Sequence, residues 1–274
     1  MKKFQTPGSF SKPLMVGMFV LFVSFLLNSG LSLARDAAKT SYRAYTGFMP
    51  LVAGDVNTGS TTTGTGTFSL GGGVTFTGTA TVTVPTQSYS DAFTGGIPFI
   101  LEYVHHYNSH WSANAGIGFQ YFPAKSFDAV NVSAAGTLTT PSGSFAVSGA
   151  ATVTGELDDV YRIPIYLGVT YHFLNSDSSN FSPYVRVDGG FIIQPAVDIT
   201  LSAGGTSLTE KYWDTSVLGL FDGGLGIEGQ IGSFGTFGEV RVQYTSAPNN
   251  ADVLGNISDA DGLLSIPIIV GMTF

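Results

Sequence analysis

Apolar and polar residues alternate along several long segments of this chain. In residues 163–173 every second residue is large and apolar, and the same alternation runs through 111–121, 240–244 and 266–274. Successive side chains of a β-strand point to opposite faces, so a period of two predicts strands. A soluble β-sandwich gives the same alternation, so the period alone does not say whether the apolar face meets a protein core or lipid.

The length of these segments and the position of their aromatic residues favour lipid. The segments are about ten or more residues long, as a tilted membrane-crossing strand requires, whereas an ordinary strand has about 5–6 residues. Aromatic residues collect near the strand ends, as in the interfacial girdles of membrane barrels. These residues are Tyr103, Tyr107, Trp111, Tyr121, Phe122, Tyr171, Phe173, Tyr212 and Trp213.

The connections between the predicted strands alternate between short and long. We expect eight strands at about 42–52, 95–107, 111–122, 160–173, 182–194, 214–231, 235–246 and 263–274. The short links are 108–110, 174–181 and 232–234, and the long ones are 53–94, 123–159, 195–213 and 247–262. Short periplasmic turns and long extracellular loops are typical of outer-membrane barrels. The predicted fold class is therefore all-β, a closed antiparallel transmembrane β-barrel of eight strands.

Three of the long loops continue the alternation around a turn of small residues. Residues 61–84, 130–155 and 196–213 each predict a β-hairpin. We interpret these hairpins as extensions of the barrel wall above the membrane. An alternative inserts them into the barrel and gives ten to fourteen strands. The apolar faces of the first two hairpins are rich in Thr and Ala, which would make poor lipid-facing strands.

The N-terminus has the order of a secretory signal peptide. Lys2, Lys3 and Lys12 precede an uncharged apolar run at 14–27, and small residues follow up to Ala34. The apolar run is shorter than the roughly 20 residues of a spanning helix. We therefore predict a cleaved signal peptide at 1–34 and a barrel domain at 35–274, exported through the periplasm to the bacterial outer membrane.

Composition excludes several other classes of protein. Only 11% of the residues are charged and the mean hydropathy is +0.26, whereas a soluble domain carries about 25% charged residues. Without the signal peptide, 8 basic and 19 acidic residues leave a net charge of −11, which argues against nucleic acid as a partner. The chain has no cysteine, so it has neither disulfides nor a thiolate site.

Charged residues of both signs fall on the inward face of the predicted barrel. Isolated charges in a narrow lumen would be very costly, so we expect these residues to pair. They are Arg43, Glu102, Arg162, Arg186, Asp188, Asp222, Glu228, Glu239 and Arg241. The preferred interpretation is an ion-pair network that fills the lumen, because an eight-stranded barrel is just wide enough for side chains. A selective path for ions or small solutes is the functional alternative.

The sequence offers little catalytic chemistry. His105 and His106 are neighbours on a strand and face opposite sides, so they cannot easily share a metal. Residues 110–112 resemble the His-x-Ser of lipid A deacylases but fall at a periplasmic turn, in the wrong leaflet. Two acidic clusters are interpreted as a solvated rim; they comprise Glu156, Asp158, Asp159, Asp252, Asp259 and Asp261. No catalytic residue, metal or cofactor is predicted.

The last predicted strand carries a resemblance to a known family. Residues 265–274 alternate and end on Phe274, which resembles the C-terminal signal read by the outer-membrane insertion machinery. That resemblance implies the signal residues Ile268, Val270, Met272 and Phe274. Together with 161–173, 181–191 and 235–244, this strand resembles the OmpA-like or outer membrane protein beta-barrel domain families. OmpA itself has a peptidoglycan-binding domain after its barrel, and no such role is expected where the sequence stops at the last strand.

The resemblance and the loops together define the expected function. We expect a structural or recognition role at the cell surface, in envelope integrity, adhesion, or host or phage interaction, carried by the long loops. The expected partners are outer-membrane lipids and lipopolysaccharide, the barrel-insertion machinery, and a host or phage ligand. A narrow porin-like channel and an outer-membrane lipid-modifying enzyme are the alternatives, the second of them disfavoured.

Overall fold

The computed structural model describes residues 40–174, 181–231, 234–251 and 260–274. The predicted signal peptide at 1–34 lies outside the described residues. No helix among the residues described is long and apolar enough to cross a membrane.

Eight strands form a closed antiparallel barrel. They are β1 (Thr40–Phe48), β7 (Ile97–His106), β8 (Trp111–Phe122), β11 (Val160–His172), β12 (Phe181–Gln194), β15 (Ser216–Ile231), β16 (Phe234–Thr245) and β18 (Ile268–Thr273). They pair in the order β1–β7–β8–β11–β12–β15–β16–β18, and β18 pairs back with β1 from Phe48↔Ile268 to Arg43↔Thr273. The predicted eight-stranded barrel is confirmed.

The remaining elements lie in the long connections. They are β2 (Leu51–Ala53), β3 (Asp55–Asn57), β4 (Ser60–Gly71), β5 (Val74–Val84), β6 (Gln87–Ser88), α1 (Tyr89–Ala92), β9 (Ser126–Thr140), β10 (Gly143–Leu157), β13 (Val197–Ala203), β14 (Thr206–Trp213) and β17 (Leu263–Ser265). The short strands β2 and β17 pair at the rim of the barrel, and β3 pairs with β6.

The three predicted hairpins join into one sheet. Strands β4/β5, β9/β10 and β13/β14 are antiparallel pairs, and β5–β9 and β10–β13 pairings link them in the order β4–β5–β9–β10–β13–β14. This order matches that of the barrel strands from which they continue, β1–β7–β8–β11–β12–β15. The hairpins therefore extend the barrel wall, and the alternative that inserts them into the barrel is wrong. The hairpin tips at Gly72 and Gly204 have positive φ, a conformation that favours glycine.

Burial along the barrel strands follows the alternation. In β11 the inward residues other than Gly168 are buried, and the outward residues are exposed or half-buried. Large lumen rings lie over glycines of neighbouring strands: a Cβ on Gly226 would lie 2.3 Å from the Tyr184 ring, and one on Gly116 would lie 2.1 Å from the Tyr166 ring. Glycine at these positions therefore makes room for the lumen side chains.

Candidate functional site

Arg186 is the centre of a buried ion-pair network inside the barrel. Its Nη2 atom lies 2.8 Å from Oε2 of Glu102 on β7 and 2.6 Å from Oδ2 of Asp188 on its own strand. Its Nε atom lies 3.6 Å from Oε1 of Glu239 on β16. One guanidinium thus connects three strands across the lumen, and all four side chains are fully shielded from solvent.

Two further arginines extend this network along the barrel axis. Arg43 Nη2 donates to Glu228 Oε2 at 2.7 Å, and its Nη1 lies 3.5 Å from Glu102 Oε1. Arg241 Nη1 lies 3.6 Å from carboxylate oxygens of both Asp188 and Asp222, and its Nε also contacts Glu239. The structure therefore brings eight of the nine predicted lumen residues into one connected set.

Arg162 lies apart from that network, which corrects the sequence prediction. Its Nε donates to Gln194 Oε1 at 2.7 Å, and its guanidinium lies over the Phe122 ring at 5.0 Å. Among the described residues it has no carboxylate partner. The reason is its position along the barrel axis. Arg162 lies near the end of β11 that follows a long connection, next to the apolar core at that end of the barrel. Alternation predicts which face a residue occupies but not its height in the lumen.

Hydroxyl, amide and imidazole groups also bind to the carboxylates of the network, and sequence reasoning missed them. Tyr166 donates to Glu102 at 2.9 Å, Tyr184 donates to Glu239 at 2.8 Å, and Asn114 Nδ2 donates to Asp188 at 2.6 Å. His172 Nε2 lies 3.3 Å from Glu228 Oε2. All of these residues share the strand parity of the lumen charges, so the same alternation would have found them had it been applied to uncharged polar residues.

A small cavity lies between the network and the barrel mouth. Its volume is about 10 Å³, and its walls include Gln120, Asp222, Arg241 and Gln243. This is about the volume that one water molecule needs. Both Asp222 carboxylate oxygens, Gln120 Oε1 and Arg241 Nη2 are buried without a hydrogen-bond partner among the described residues. The rest of the lining is mostly apolar, including Met49, Ile100 and Leu220, so the cavity holds a few unpaired polar atoms and is too small to be a passage for solutes.

An apolar core covers the lumen at the end where the long connections emerge. Its residues come from the barrel rim, α1 and the bases of the extension strands: Met49, Val56, Tyr89, Ala92, Phe93, Phe122, Leu157, Val160, Val197, Ile199, Tyr212, Trp213 and Leu263. We call this set the mouth core. Tyr89, Phe93 and Trp213 stack on one another with ring centroids 6.0–6.4 Å apart.

The mouth core corrects part of the predicted aromatic girdle. Phe122, Tyr212 and Trp213 were expected at the membrane interface, but they are 2%, 4% and 0% exposed. They are buried because the long connections fold back over the barrel and form a core of their own. Aromatic residues do gather on the outer surface of the barrel. The ring centroids of Trp111, which is 49% exposed, and Tyr171 lie 4.9 Å apart at the end with the short turns, and those of Tyr121 and Tyr161 lie 5.2 Å apart near the other end.

The outer surface of the barrel is an apolar belt. Large side chains on neighbouring strands point away from the lumen and are exposed, including Leu167, Val187, Leu225, Val240 and Val242. On β18 the predicted insertion-signal residues Ile268, Val270 and Met272 point outward, while Ile269 between them is buried. Phe274 follows the end of β18. All of the outward-facing residues named here are apolar.

The remaining candidate residues have structural contacts. His110 Nδ1 lies 2.8 Å from the carbonyl oxygen of His172 at the β7–β8 turn. His106 Nε2 lies 3.1 Å from Ser41 Oγ. Asp159 accepts from the Tyr121 hydroxyl at 2.8 Å and from the Ala124 amide at 2.9 Å. Within the described ranges, no three His, Asp or Glu residues cluster in a way that would hold a metal ion.

The structure describes all of the first acidic cluster and only Asp261 of the second. Glu156 accepts from Ser126 Oγ at 3.0 Å, and the Asp261 amide donates to the Asp55 carbonyl oxygen at 2.8 Å. Asp252 and Asp259 lie outside the described residues. Burial raises the pKa of Asp158 above its usual value, and the carboxylates of Asp198, Asp159 and Glu156 raise it further.

No model of a known protein family matches the sequence, and the comparison with curated proteins finds no relative. Among solved structures, the chain is similar to Neisserial surface protein A (NspA), at 10% identity and a TM-score of 0.38, over 86% of this chain and 96% of that one. It is also similar to Ail, the attachment invasion locus protein of Yersinia pestis, at 10% identity and a TM-score of 0.34, over 86% and 100% of the two chains. The outer membrane protein OprG from Pseudomonas aeruginosa matches at 13% identity and a TM-score of 0.34, over 85% and 95%.

Identities and TM-scores this low carry nothing about function. The strand pairings themselves establish the fold. Eight antiparallel strands close on themselves, the lumen is filled by side chains, and the outer wall is apolar. These features together give the fold of the small OmpA-like outer-membrane barrels.

Proposed function

We propose that the chain is an integral protein of the bacterial outer membrane, with a closed barrel as scaffold and an extracellular sheet as the surface of recognition. The observation that carries this proposal is the contrast between the two faces of one wall. Apolar side chains such as Leu167 and Leu225 are exposed on the outside, and Arg186 with its partners is buried inside. Only a closed barrel pairs all strand backbone groups internally, as hydrocarbon requires.

Two layers close the lumen in this proposal. The ion-pair network fills the middle of the barrel, and the mouth core covers its extracellular end. The barrel is therefore a scaffold, not a diffusion pore. Outer-membrane lipids and lipopolysaccharide surround the belt, the insertion machinery reads β18, and a ligand such as a host or phage component meets the six-stranded sheet.

Planar-bilayer recording of the purified chain tests the closed scaffold. We expect no steady single-channel steps. Steady steps in the wild-type protein would contradict the scaffold and favour the second candidate, a narrow channel for ions or small solutes. The unpaired carboxylate oxygens of Asp222 beside the small cavity are the observation that favours that candidate. In a channel that passes this cavity, Asp222→Asn would alter the reversal potential under a salt gradient.

The proposal assigns no catalytic role to the chain. His110 and Ser112 occupy the end of the barrel with short turns, opposite to the extracellular sheet. Mass spectrometry of lipid A from cells with and without the protein tests this point. A modification that depends on the protein, and is lost in His110→Ala, would favour a lipid-modifying enzyme.

A further inference from the structure

The free edge strand β4 is unusual for an exposed sheet edge. It is the last strand of the six-stranded sheet, and no strand pairs with its outer edge within the described residues. Its twelve residues, STTTGTGTFSLG, include no charge and no proline, and all but the half-buried Gly66 are exposed. Proteins normally protect edge strands with charges, prolines or bulges, because unpaired N–H and C=O groups recruit further strands. Strand β4 has a register shift between Ser69 and Gly71 near its tip, and its edge from Ser60 to Ser69 has none of these protections.

The opposite edge of the same sheet is protected. Strand β14 carries Glu210 and Lys211, its Tyr212 and Trp213 are buried in the mouth core, and Trp213 forms a β-bridge with Asn250. The two edges of one sheet therefore differ. Only the β4 edge offers a long, uncharged row of backbone groups.

Many of the interior pairings of this sheet join like residues with like. Between β4 and β5, Thr63 faces Thr81, Thr65 faces Thr79, Gly66 faces Gly78 and Phe68 faces Phe76, whereas Thr62 faces Val82 and Gly64 faces Ala80. Between β5 and β9, Thr75 faces Thr139, Thr77 faces Thr137 and Gly78 faces Gly136, whereas Thr79 faces Ala135. The hydroxyls of facing threonines lie in hydrogen-bond contact, at 3.1 Å for Thr63–Thr81 and 2.9 Å for Thr67–Thr77. An edge that repeats this pattern is complementary to itself.

We infer that the β4 edge binds the β4 edge of a second copy of this chain. Antiparallel pairing centred on Thr65 places Thr65 against Thr65 of the second copy, and Thr63 against Thr67 of the second copy. Gly64 then faces Gly66 of the second copy; a Cβ on Gly64 would meet nothing within 4 Å, and one on Gly66 would make ordinary contact with the Phe68 ring at 3.6 Å. An even offset of this kind keeps the threonine faces on the same side of the joint sheet. The two sheets become one sheet of twelve strands.

This pairing determines how the two barrels are placed. Strand β4 leads away from the barrel and the turn at Gly72 is its far end, since β5 returns towards β7. In an antiparallel pair the two barrels therefore stand at opposite ends of the joined strands. The interface connects molecules in two facing membranes and not neighbours within one membrane. This inference rests on the proposed function, because it takes the sheet to be extracellular. It adds that the partner of the sheet is a second copy of the chain.

Clustering of proteoliposomes tests the inference, with flotation and urea unfolding as separate readouts of insertion and folding. Wild-type vesicles should cluster. Thr65→Lys and Thr65→Glu each place like charges opposite one another, so each should weaken association by about fivefold when used alone. A mixture of Thr65→Lys vesicles with Thr65→Glu vesicles should cluster again, because opposite charges then face each other. Ser207→Lys, a matched change on the protected β14 edge, should cluster like the wild type.

Each other outcome overturns the inference. Wild-type vesicles that contain inserted, folded protein and remain dispersed would refute self-pairing but leave the barrel intact. Clustering that persists in both single variants, or a mixture that fails to cluster, would refute the Thr65-centred register. Cross-linked dimers within one vesicle without clustering would refute the antiparallel arrangement. Failure of insertion in the wild type would instead refute the membrane barrel on which the inference rests.

Discussion

Arg186 Nη2 on β12 lies 2.8 Å from Glu102 Oε2 on β7, and neither side chain reaches solvent. The two strands are not neighbours in the barrel, since β8 and β11 lie between them. The ion pair therefore spans the lumen rather than joining adjacent strands. A contact of this kind ties opposite walls together and leaves no room for water between them.

Removal of the Arg186 charge should strongly destabilise the barrel. Arg186→Met leaves Glu102, Asp188 and Glu239 without their shared cation, and breaking a buried pair costs about 3–5 kcal/mol. The free energy of unfolding in urea, measured in lipid vesicles, gives this cost. Lys211→Ala is the control, because the Lys211–Asp214 pair is about half exposed and such pairs contribute about 0–1 kcal/mol. Equal losses in the two variants would contradict the role given to the network.

Gly226 should not tolerate a side chain. A Cβ at this position would lie 2.3 Å from the ring of Tyr184, whose hydroxyl donates a hydrogen bond to Glu239. Gly226→Ala should therefore displace the ring and cost about 1–3 kcal/mol, the usual cost of overpacking. Gly149→Ala in β10 is the matched control, because a Cβ there meets nothing within 4 Å and the change should stay within about 0.5 kcal/mol. Urea midpoints of the two variants test this difference.

Stability of the mouth core should fall as the pH rises. Burial and the nearby carboxylate of Asp198 raise the pKa of Asp158, so the folded state holds its proton more readily than the unfolded state. Stability from this group is thus greatest below the ordinary aspartate pKa of about 3.9 and is lost as the pH rises through the raised value. Asp158→Asn should increase the melting temperature at neutral pH but not at about pH 3.

The fluorescence of Trp213 reports on the mouth core in this experiment. Trp213 is fully buried there, and Trp111→Phe removes the other tryptophan of the chain. Asp214→Asn is the control, because Asp214 is half exposed and paired with Lys211. A gain from Asp158→Asn that is the same at both pH values would show that charge at this position is not the cause.

The sequence predicts the barrel well because lipid imposes a simple rule on it. Every second residue of a membrane-crossing strand must be apolar, and each strand must be long, so strand β11 was predicted at about 160–173 and is observed at Val160–His172. The sequence also predicts three hairpins in the long loops from their turns of small residues, and these are the strand pairs β4/β5, β9/β10 and β13/β14. Their joining into one sheet was not predicted, since local alternation does not say which hairpins pair.

Alternation also does not predict the position of a residue along the barrel axis. Arg162 has the parity of a lumen residue, and the structure places it beneath the mouth core with Gln194 and Phe122 instead of a carboxylate. The same limit explains Trp213, which was expected at the membrane surface and is buried in the mouth core. Both positions depend on how residues 49–96 and 195–215 fold back over the barrel. That packing is determined by contacts between residues that are far apart in the sequence.

The most direct test of the central claim compares one charge at two exposed leucines. Leu167 on the barrel wall is 70% exposed and Leu208 on the six-stranded sheet is 55% exposed. If hydrocarbon surrounds the barrel, Leu167→Arg should reduce the free energy of unfolding from lipid vesicles by about 2–4 kcal/mol. Leu208→Arg should change it by less than about 0.5 kcal/mol, because water surrounds the sheet. Equal effects at the two positions would show that no lipid surrounds the belt and would contradict the membrane barrel.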